Sequence, residues 1–207
     1  MSASIVYLHG FRSSPRSFKA QLLGKRMASV GLADQYVCPA LPVSPREAMT
    51  ETEALIAELS QRDGTQPVLI GSSLGGFYAT WLAERHGLRA AMLNPATRPE
   101  RDLAKYVGEQ PLWHGGGTIR VEPRHLDELR ALAVPAITQP ERYYLLAATR
   151  DEVLDYREML AHFPQAATHV IDGSDHGISD FAHYMDEVLV FCGIPADLLA
   201  AHPFDAA

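Results

Sequence analysis

Val68-Leu69-Ile70-Gly71-Ser72-Ser73-Leu74-Gly75-Gly76-Phe77 is the stretch on which the fold turns. It reads as a short apolar strand, a turn of the form G-x-S-x-G, and the start of an amphipathic helix. In that context the turn is tight and strained and pushes the Ser73 hydroxyl out past the end of the strand. Gly71 and Gly75 flank the serine where side chains would collide, and glycine accepts the φ values a sharp turn needs. The following helix aims its first N–H groups and its positive dipole end at whatever the serine attacks. At background glycine and serine frequencies such a pentapeptide arises by chance in about one chain of this length in ten or twenty. The rest of the chain must therefore supply partners for the serine.

Upstream, Ile5 to Leu8 is an apolar run suited to a strand buried on both faces. It ends in the loop His9-Gly10-Phe11-Arg12-Ser13-Ser14. Ser14-Pro15 is predicted to open a helix with Phe18, Leu22, Met27 and Val30 on one face and Gly31 at its end. Tyr36 to Cys38 reads as a weak strand, and Ser44-Pro45-Arg46-Glu47 as a capping box for a helix that stops near Asp63-Gly64. Downstream of the serine, the helix carries Leu74, Phe77, Tyr78, Trp81 and Leu82 and ends at His86-Gly87. Arg89 to Leu93, Arg142 to Ala148 and Ala167 to Ile171 read as strands. Val153 to Phe163 and Ser179 to Cys192 read as helices. From Thr97 to Pro140, prolines and the run Gly115-Gly116-Gly117 interrupt charged pieces, which predicts a loop-plus-helix cap insertion. The alternation predicts a single α/β domain over residues 1–207, with a mainly parallel sheet of about six strands and helices on both faces. The working groups of such a sheet lie beyond the C-terminal strand ends.

The 207 residues are 47% hydrophobic and 21% charged, ordinary for a globular protein, and the net charge of −7 argues against nucleic acid or an anionic membrane as partner. The N-terminal run Met1 to Leu8 has no basic segment and is too short for a signal peptide, and no stretch is apolar for long enough to span a membrane. Cys38 and Cys192 have no metal-ligand spacing, so a reducing cytoplasm is the expected compartment.

A serine hydroxyl becomes a useful nucleophile when a base takes its proton and a third group orients that base. The loops after the last two strands offer Thr149-Arg150-Asp151-Glu152-Val153-Leu154-Asp155 and Asp172-Gly173-Ser174-Asp175-His176-Gly177. The order Ser73, Asp151, His176 on three strand ends is that of an α/β-hydrolase. Ser73 would attack an acyl carbon, His176 would carry the proton, and Asp151 would hold the imidazole. Glu152 and Asp155 compete with Asp151 for that last role. The N–H groups of Leu74 and Phe11 are the expected oxyanion donors. His9 reads as a buried loop anchor, and the acids and histidines from Asp172 to His183 lack a recognised metal spacing.

Tyr7-Leu8-His9-Gly10-Phe11-Arg12-Ser13-Ser14-Pro15, Ile70-Gly71-Ser72-Ser73-Leu74-Gly75-Gly76-Phe77-Tyr78-Ala79-Thr80 and Leu93-Asn94-Pro95-Ala96 together resemble the small bacterial YqiA-type esterases of the α/β-hydrolase superfamily. Thr149 to Tyr156 and Gly173-Ser174-Asp175-His176 continue the likeness in order. The resemblance implies hydrolysis of a small-molecule carboxylic ester or thioester in the cytoplasm, without a cofactor; the residue spacings give no reason to expect a metal. It carries over Ser73, Asp151 and His176 as the triad and Phe11 and Leu74 as the oxyanion hole. An acyltransferase, or a hydrolase-like binding protein without catalysis, are the alternative readings. Two departures stand out: the chain opens directly on the strand before the oxyanion loop, and Arg150 replaces a glycine common before the aspartate in such families. Arg150, with Leu112 and Trp113 of the cap, is a candidate for the substrate pocket.

Overall fold

The structure is a computed structural model that describes residues 3–205, so Met1, Ser2, Ala206 and Ala207 lie outside the described residues. Strand and helix alternate through β1 (Ile5–Leu8), α1 (Phe18–Ser29), β2 (Tyr36–Val37), α2 (Pro45–Asp63), β3 (Val68–Ser72), α3 (Leu74–His86) and β4 (Ala90–Leu93). There follow α4 (Pro99–Asp102), β5 (Gly108–Pro111), β6 (Thr118–Val121) and α5 (Pro123–Ala131). Alternation resumes with β7 (Tyr143–Ala148), α6 (Tyr156–His162), β8 (Ala167–Ile171), α7 (Met185–Phe191) and α8 (Ala196–Ala201). Six strands form one parallel sheet in the order β2-β1-β3-β4-β7-β8. The expected six-stranded sheet is present.

Period-two alternation in the strands sorts the core into two halves. Ile5, Tyr7, Val68 and Ile70 pack with Leu23 and Met27 of α1 and Val188 and Leu189 of α7. Val6, Leu8 and Leu69 face the other way, toward Met49 and Ile56 of α2, Phe77 and Leu82 of α3 and Met159 of α6. Because both faces are covered, β1, β3, β4 and β7 are buried along their whole length, which is why they read as continuous apolar runs. Arg26 of α1 is 1% exposed; it forks onto Asp186 of α7 at 2.8 and 2.6 Å and donates to the Leu199 carbonyl of α8, closing the C-terminal end.

Several boundaries differ from the sequence reading, each for a local reason. The helix expected at Ser14-Pro15 starts at Phe18, because Ser17 N–H turns back to the Ser14 carbonyl and Arg16 N–H to the Ser14 hydroxyl. Phe18, expected in the core, is 51% exposed. The helix expected from Val153 starts at Tyr156, where the Asp155 side chain caps the Arg157 N–H. The one expected from Ser179 divides into a short turn at Phe181–His183 and α7. The segment expected as a cap insertion, residues 97–140, also divides. Its β5–β6 hairpin is antiparallel and stands apart from the main sheet, whereas Leu129 of α5 is part of the main core.

The passage from β3 to α3 is the tightest place in the fold. A Cβ on Gly75 would stand 1.9 Å from the Leu8 carbonyl oxygen, and one on Gly71 would stand 2.4 Å from the Gly75 oxygen. Neither glycine has positive φ, so the expectation that they absorb the unusual backbone angles is corrected: they supply room, and the positive φ of 55° falls on Ser73. We expect Gly75→Ala to cost about 3 kcal/mol or more, since backbone on both sides would have to part. Gly64, the C-cap of α2 with φ of 66°, has open space where a Cβ would go, and Gly64→Ala should cost only about 1 kcal/mol. Urea denaturation of the two variants beside the parent measures the difference.

Candidate active site

The C-terminal ends of β3, β7 and β8 bring three side chains into one hydrogen-bonded line. His176 Nε2 lies 3.0 Å from Ser73 Oγ, and His176 Nδ1 lies 2.8 Å from Asp151 Oδ2. The Asp151 side chain is 1% exposed and its other oxygen accepts the N–H groups of Val153 and Leu154, both at 2.8 Å. Those bonds wrap residues 151–154 around the carboxylate and leave Oδ2 aimed at the imidazole. The two competing acids are engaged elsewhere: Glu152 accepts the backbone N–H of His176, and Asp155 caps α6.

Ser73 sits at φ 55° and ψ −121°, a region that costs a non-glycine residue about 1–3 kcal/mol and is held by the packing around it. Its carbonyl accepts from Gly76 and Ala96, and its N–H donates to Leu93. Leu74 is the first residue of α3, so its N–H has no partner within the helix. The loop after β1 passes close by: a Cβ on Gly10 would lie 3.2 Å from Ser73 Cβ and 3.6 Å from Ser73 Oγ. Phe11 is the next residue in that loop. His9 behaves as a loop anchor. It is buried, its Nδ1 donates to the Gly10 carbonyl at 3.0 Å, and its Nε2 accepts the Leu41 N–H at 3.2 Å. Burial holds its pKa below the ordinary histidine value.

Two cavities flank the Ser73–His176 pair. The larger, of about 510 Å³, is lined by Tyr7, Ser17, Phe18 and Lys19, and the smaller, of about 200 Å³, by Ala96, Leu103, Tyr106 and Leu154. Phe11 and Trp113 stand between the two and line both. Trp113 comes from the β5–β6 hairpin; its N–H donates to the Arg12 carbonyl at 2.9 Å and its ring carries the Arg12 guanidinium at 4.1 Å. Of the three candidate pocket residues, Trp113 alone reaches these cavities. Leu112 faces a separate pocket beside His9, Leu41 and Tyr78. Arg150 is exposed and lines neither cavity; its N–H points at the Gly173 carbonyl.

Two residues of the site were missed in the sequence. Asn94 is fully buried with φ of 42°; its Nδ2 donates to the carbonyls of Asp175 and His176, both at 3.1 Å, while its Oδ1 accepts the Ala148 N–H at 2.8 Å. It thus fastens the His176 loop to the ends of β4 and β7. Asn94 lies in the Leu93-Asn94-Pro95-Ala96 stretch that carries the family resemblance, where nothing local in the sequence gives it a role. Lys19, buried in the first turn of α1, donates from its ammonium to the Gly177 carbonyl beside His176. Its signal was a broken local rule, a lysine against the positive end of a helix.

The fold has close counterparts among solved structures. The chain resembles mouse alpha/beta hydrolase domain-containing protein 10 (TM-score 0.69, 16% identity, covering 97% of this chain and 91% of that one). It also resembles the esterase domain of a Rhodothermus marinus protein (TM-score 0.64, 20% identity, 92% and 85% coverage). A third likeness is to a structure from the metagenome-derived lipolytic enzymes LipS and LipT (TM-score 0.69, 20% identity, 93% and 95% coverage). At these identities the likeness shows the α/β-hydrolase fold. A UPF0227 protein of Shewanella woodyi (strain ATCC 51908 / MS32) is 27% identical over 104 residues, and that alignment spans 48% of this chain and about half, 54%, of the relative. The model of the uncharacterised protein family UPF0227 matches residues 4–193, so the chain belongs to that family.

Proposed function

We propose that the protein is a cofactor-independent serine hydrolase that cleaves carboxylic esters or thioesters through an acyl-enzyme, with Ser73, His176 and Asp151 as its triad. The observation that carries this is the hydrogen-bonded line itself, 3.0 Å from serine to histidine and 2.8 Å from histidine to aspartate, on a serine lifted by a strained turn. Hydrolase and esterase neighbours of the same fold support it.

The steps follow from the positions. Ser73 Oγ attacks the acyl carbon as its proton passes to His176 Nε2. Asp151 accepts the Nδ1–H and offsets the charge of the imidazolium. Negative charge on the former carbonyl oxygen is met by the N–H groups of Phe11 and Leu74, reinforced by the positive end of α3. Collapse expels the alcohol or thiol, which takes the proton from Nε2. Water, activated by the same nitrogen, then releases the acid and restores Ser73. Cys38 and Cys192 are both free, in keeping with a cytoplasmic setting, and no helix among the described residues is long and apolar enough to cross a membrane.

A fluorophosphonate probe tests the nucleophile. Labelling should occur on the folded protein, persist in Ser72→Ala and vanish in Ser73→Ala; a folded parent that takes no label would sink the proposal. On a chromogenic ester, Asp151→Asn should lower kcat by roughly three to four orders of magnitude, while Asp155→Asn should stay within a few-fold. The reverse ranking would move the acid to Asp155.

Asn94 provides a separate test of positioning. Asn94→Asp sets a carboxylate against the carbonyls of Asp175 and His176, so the loop must shift. A misplacement of about 1 Å can cost on the order of a hundredfold in turnover. We expect a kcat loss of about tenfold to a hundredfold with KM little changed, measured beside a melting curve that confirms folded protein.

A further inference from the structure

The larger cavity has an unusual wall. Lys19 is only 8% exposed and lines it, yet among the described residues its ammonium makes one hydrogen bond, to the Gly177 carbonyl, and no carboxylate oxygen stands within 4 Å. An ammonium has three N–H donors, and burying one without a counter-charge is costly unless something meets the rest. Asp151 and Asp175 act on it from a distance. Both are already engaged, Asp151 with His176 and Asp175 with the Ser179 N–H at 2.8 Å.

The start of α1 beside it is incomplete in the same way. Ser17 occupies the N-cap of α1, but its side chain does not cap the helix; its hydroxyl is buried beside Tyr7. The first turn of the twelve-residue α1 holds no acid, so the positive end of its dipole is uncompensated where Ser17, Phe18 and Lys19 line the cavity. A cation short of partners and a positive helix end thus meet in one space that Ser73 and His176 also line.

We propose that this cavity receives a carboxylate carried by the substrate, so that the preferred esters or thioesters are monoanions with a carboxylate on one side of the scissile bond. Lys19 supplies the counter-charge, reinforced by the uncompensated start of α1. The cavity offers a single buried cation, which matches a monoanion better than a phosphate dianion. Burial has pushed the Lys19 pKa down to about 8, with Asp175 and Asp151 opposing the shift, which fits a cation still short of negative charge. The smaller cavity, where Leu103, Tyr106 and Leu154 stand beside Asp102 and Lys105, takes the other half of the same molecule.

The proposal rests on the hydrolase reading, and its test keeps the two apart. Pairs of chromogenic esters are compared that differ only in a terminal carboxylate against its methyl ester, with the group placed first on the acyl and then on the alcohol side, over two to six methylenes. The parent should favour the carboxylate ester by tenfold or more in kcat/KM in at least one series, mainly through KM, and Lys19→Met should bring the ratio to within about twofold of unity. A parent ratio near one in every series overturns the proposal. So does a ratio that survives in Lys19→Met while both esters slow equally, since Lys19 would then only hold Gly177. A phosphonate analogue preferred over the carboxylate overturns the choice of anion. Binding without turnover supplies the remaining arm: glutarate, but not glutaramide, should change the fluorescence of Trp113 in Ser73→Ala, and the response should be lost when Lys19→Met is added. Failure of fluorophosphonate labelling with that response intact would overturn the hydrolase reading alone, and labelling without it would overturn the carboxylate site alone.

Discussion

Between the end of β1 and the first turn of α3 there is no room for one methyl group. The 1.9 Å that would separate a Gly75 Cβ from the Leu8 oxygen sets how deeply α3 sits on the sheet, and much else follows from that depth. Gly76 repeats the condition on the other side, where a Cβ would come within 2.6 Å of Pro95. With α3 pressed against β1 and β4, the chain has a single residue in which to turn from strand to helix, and that residue is Ser73. The left-handed φ is the consequence, and a core buried on both faces of the sheet holds it in place. Close approach also brings the loop after β1 to the serine, which is why Phe11 and Leu74 can serve together as the proposed donors.

The parts of this arrangement legible in the sequence are those set by burial. A parallel strand covered on both faces has to be apolar throughout, so β1, β3, β4 and β7 announced themselves, and the loops at their ends came with them. Helix ends set by one residue were legible too: Ser44 accepts the Glu47 N–H at the start of α2, and Gly64 and Gly87 close α2 and α3 in the left-handed region. What escaped was structure decided by partners distant in the chain. The β5 strand is Gly-Glu-Gln-Pro, with no β-branched residue, and it exists because β6 pairs with it and Arg12 clasps its end through the Pro111 carbonyl at 2.5 Å. Phe18 has the right spacing for a buried helix face but stands at the mouth of a cavity. Asn94 and Lys19 act through carbonyls some eighty and 158 residues further along, which no local pattern encodes.

Charge is distributed in opposition to itself. The chain carries −7 overall, and Asp151, Glu152 and Asp175 all stand near His176. For the imidazolium of the proposed proton transfer, this acidic setting is favourable. For an anionic substrate it is repulsive, at distances that salt screens within about 8–10 Å. A buried lysine is screened far less than a surface acid. A cation inside the cavity therefore selects an anion at contact while the surface outside does nothing to attract one. Such a site discriminates through residence in the bound state rather than through steered encounter.

The hairpin adds a mechanical condition. Trp113 is 64% exposed, so apolar burial does not hold it; the Arg12 carbonyl, the Arg12 guanidinium over its ring and the short bond from Arg12 to Pro111 do. Arg12 itself lies at φ of 60°, adjacent to Phe11. The wall that divides the two cavities and the loop that carries Phe11 are therefore one clasped unit. A substrate that displaces Trp113 to gain space must draw on the loop beside Ser73. Substrate shape and the placement of the Phe11 N–H are coupled through Arg12, so a group too large for either cavity should slow the chemical step as well as binding.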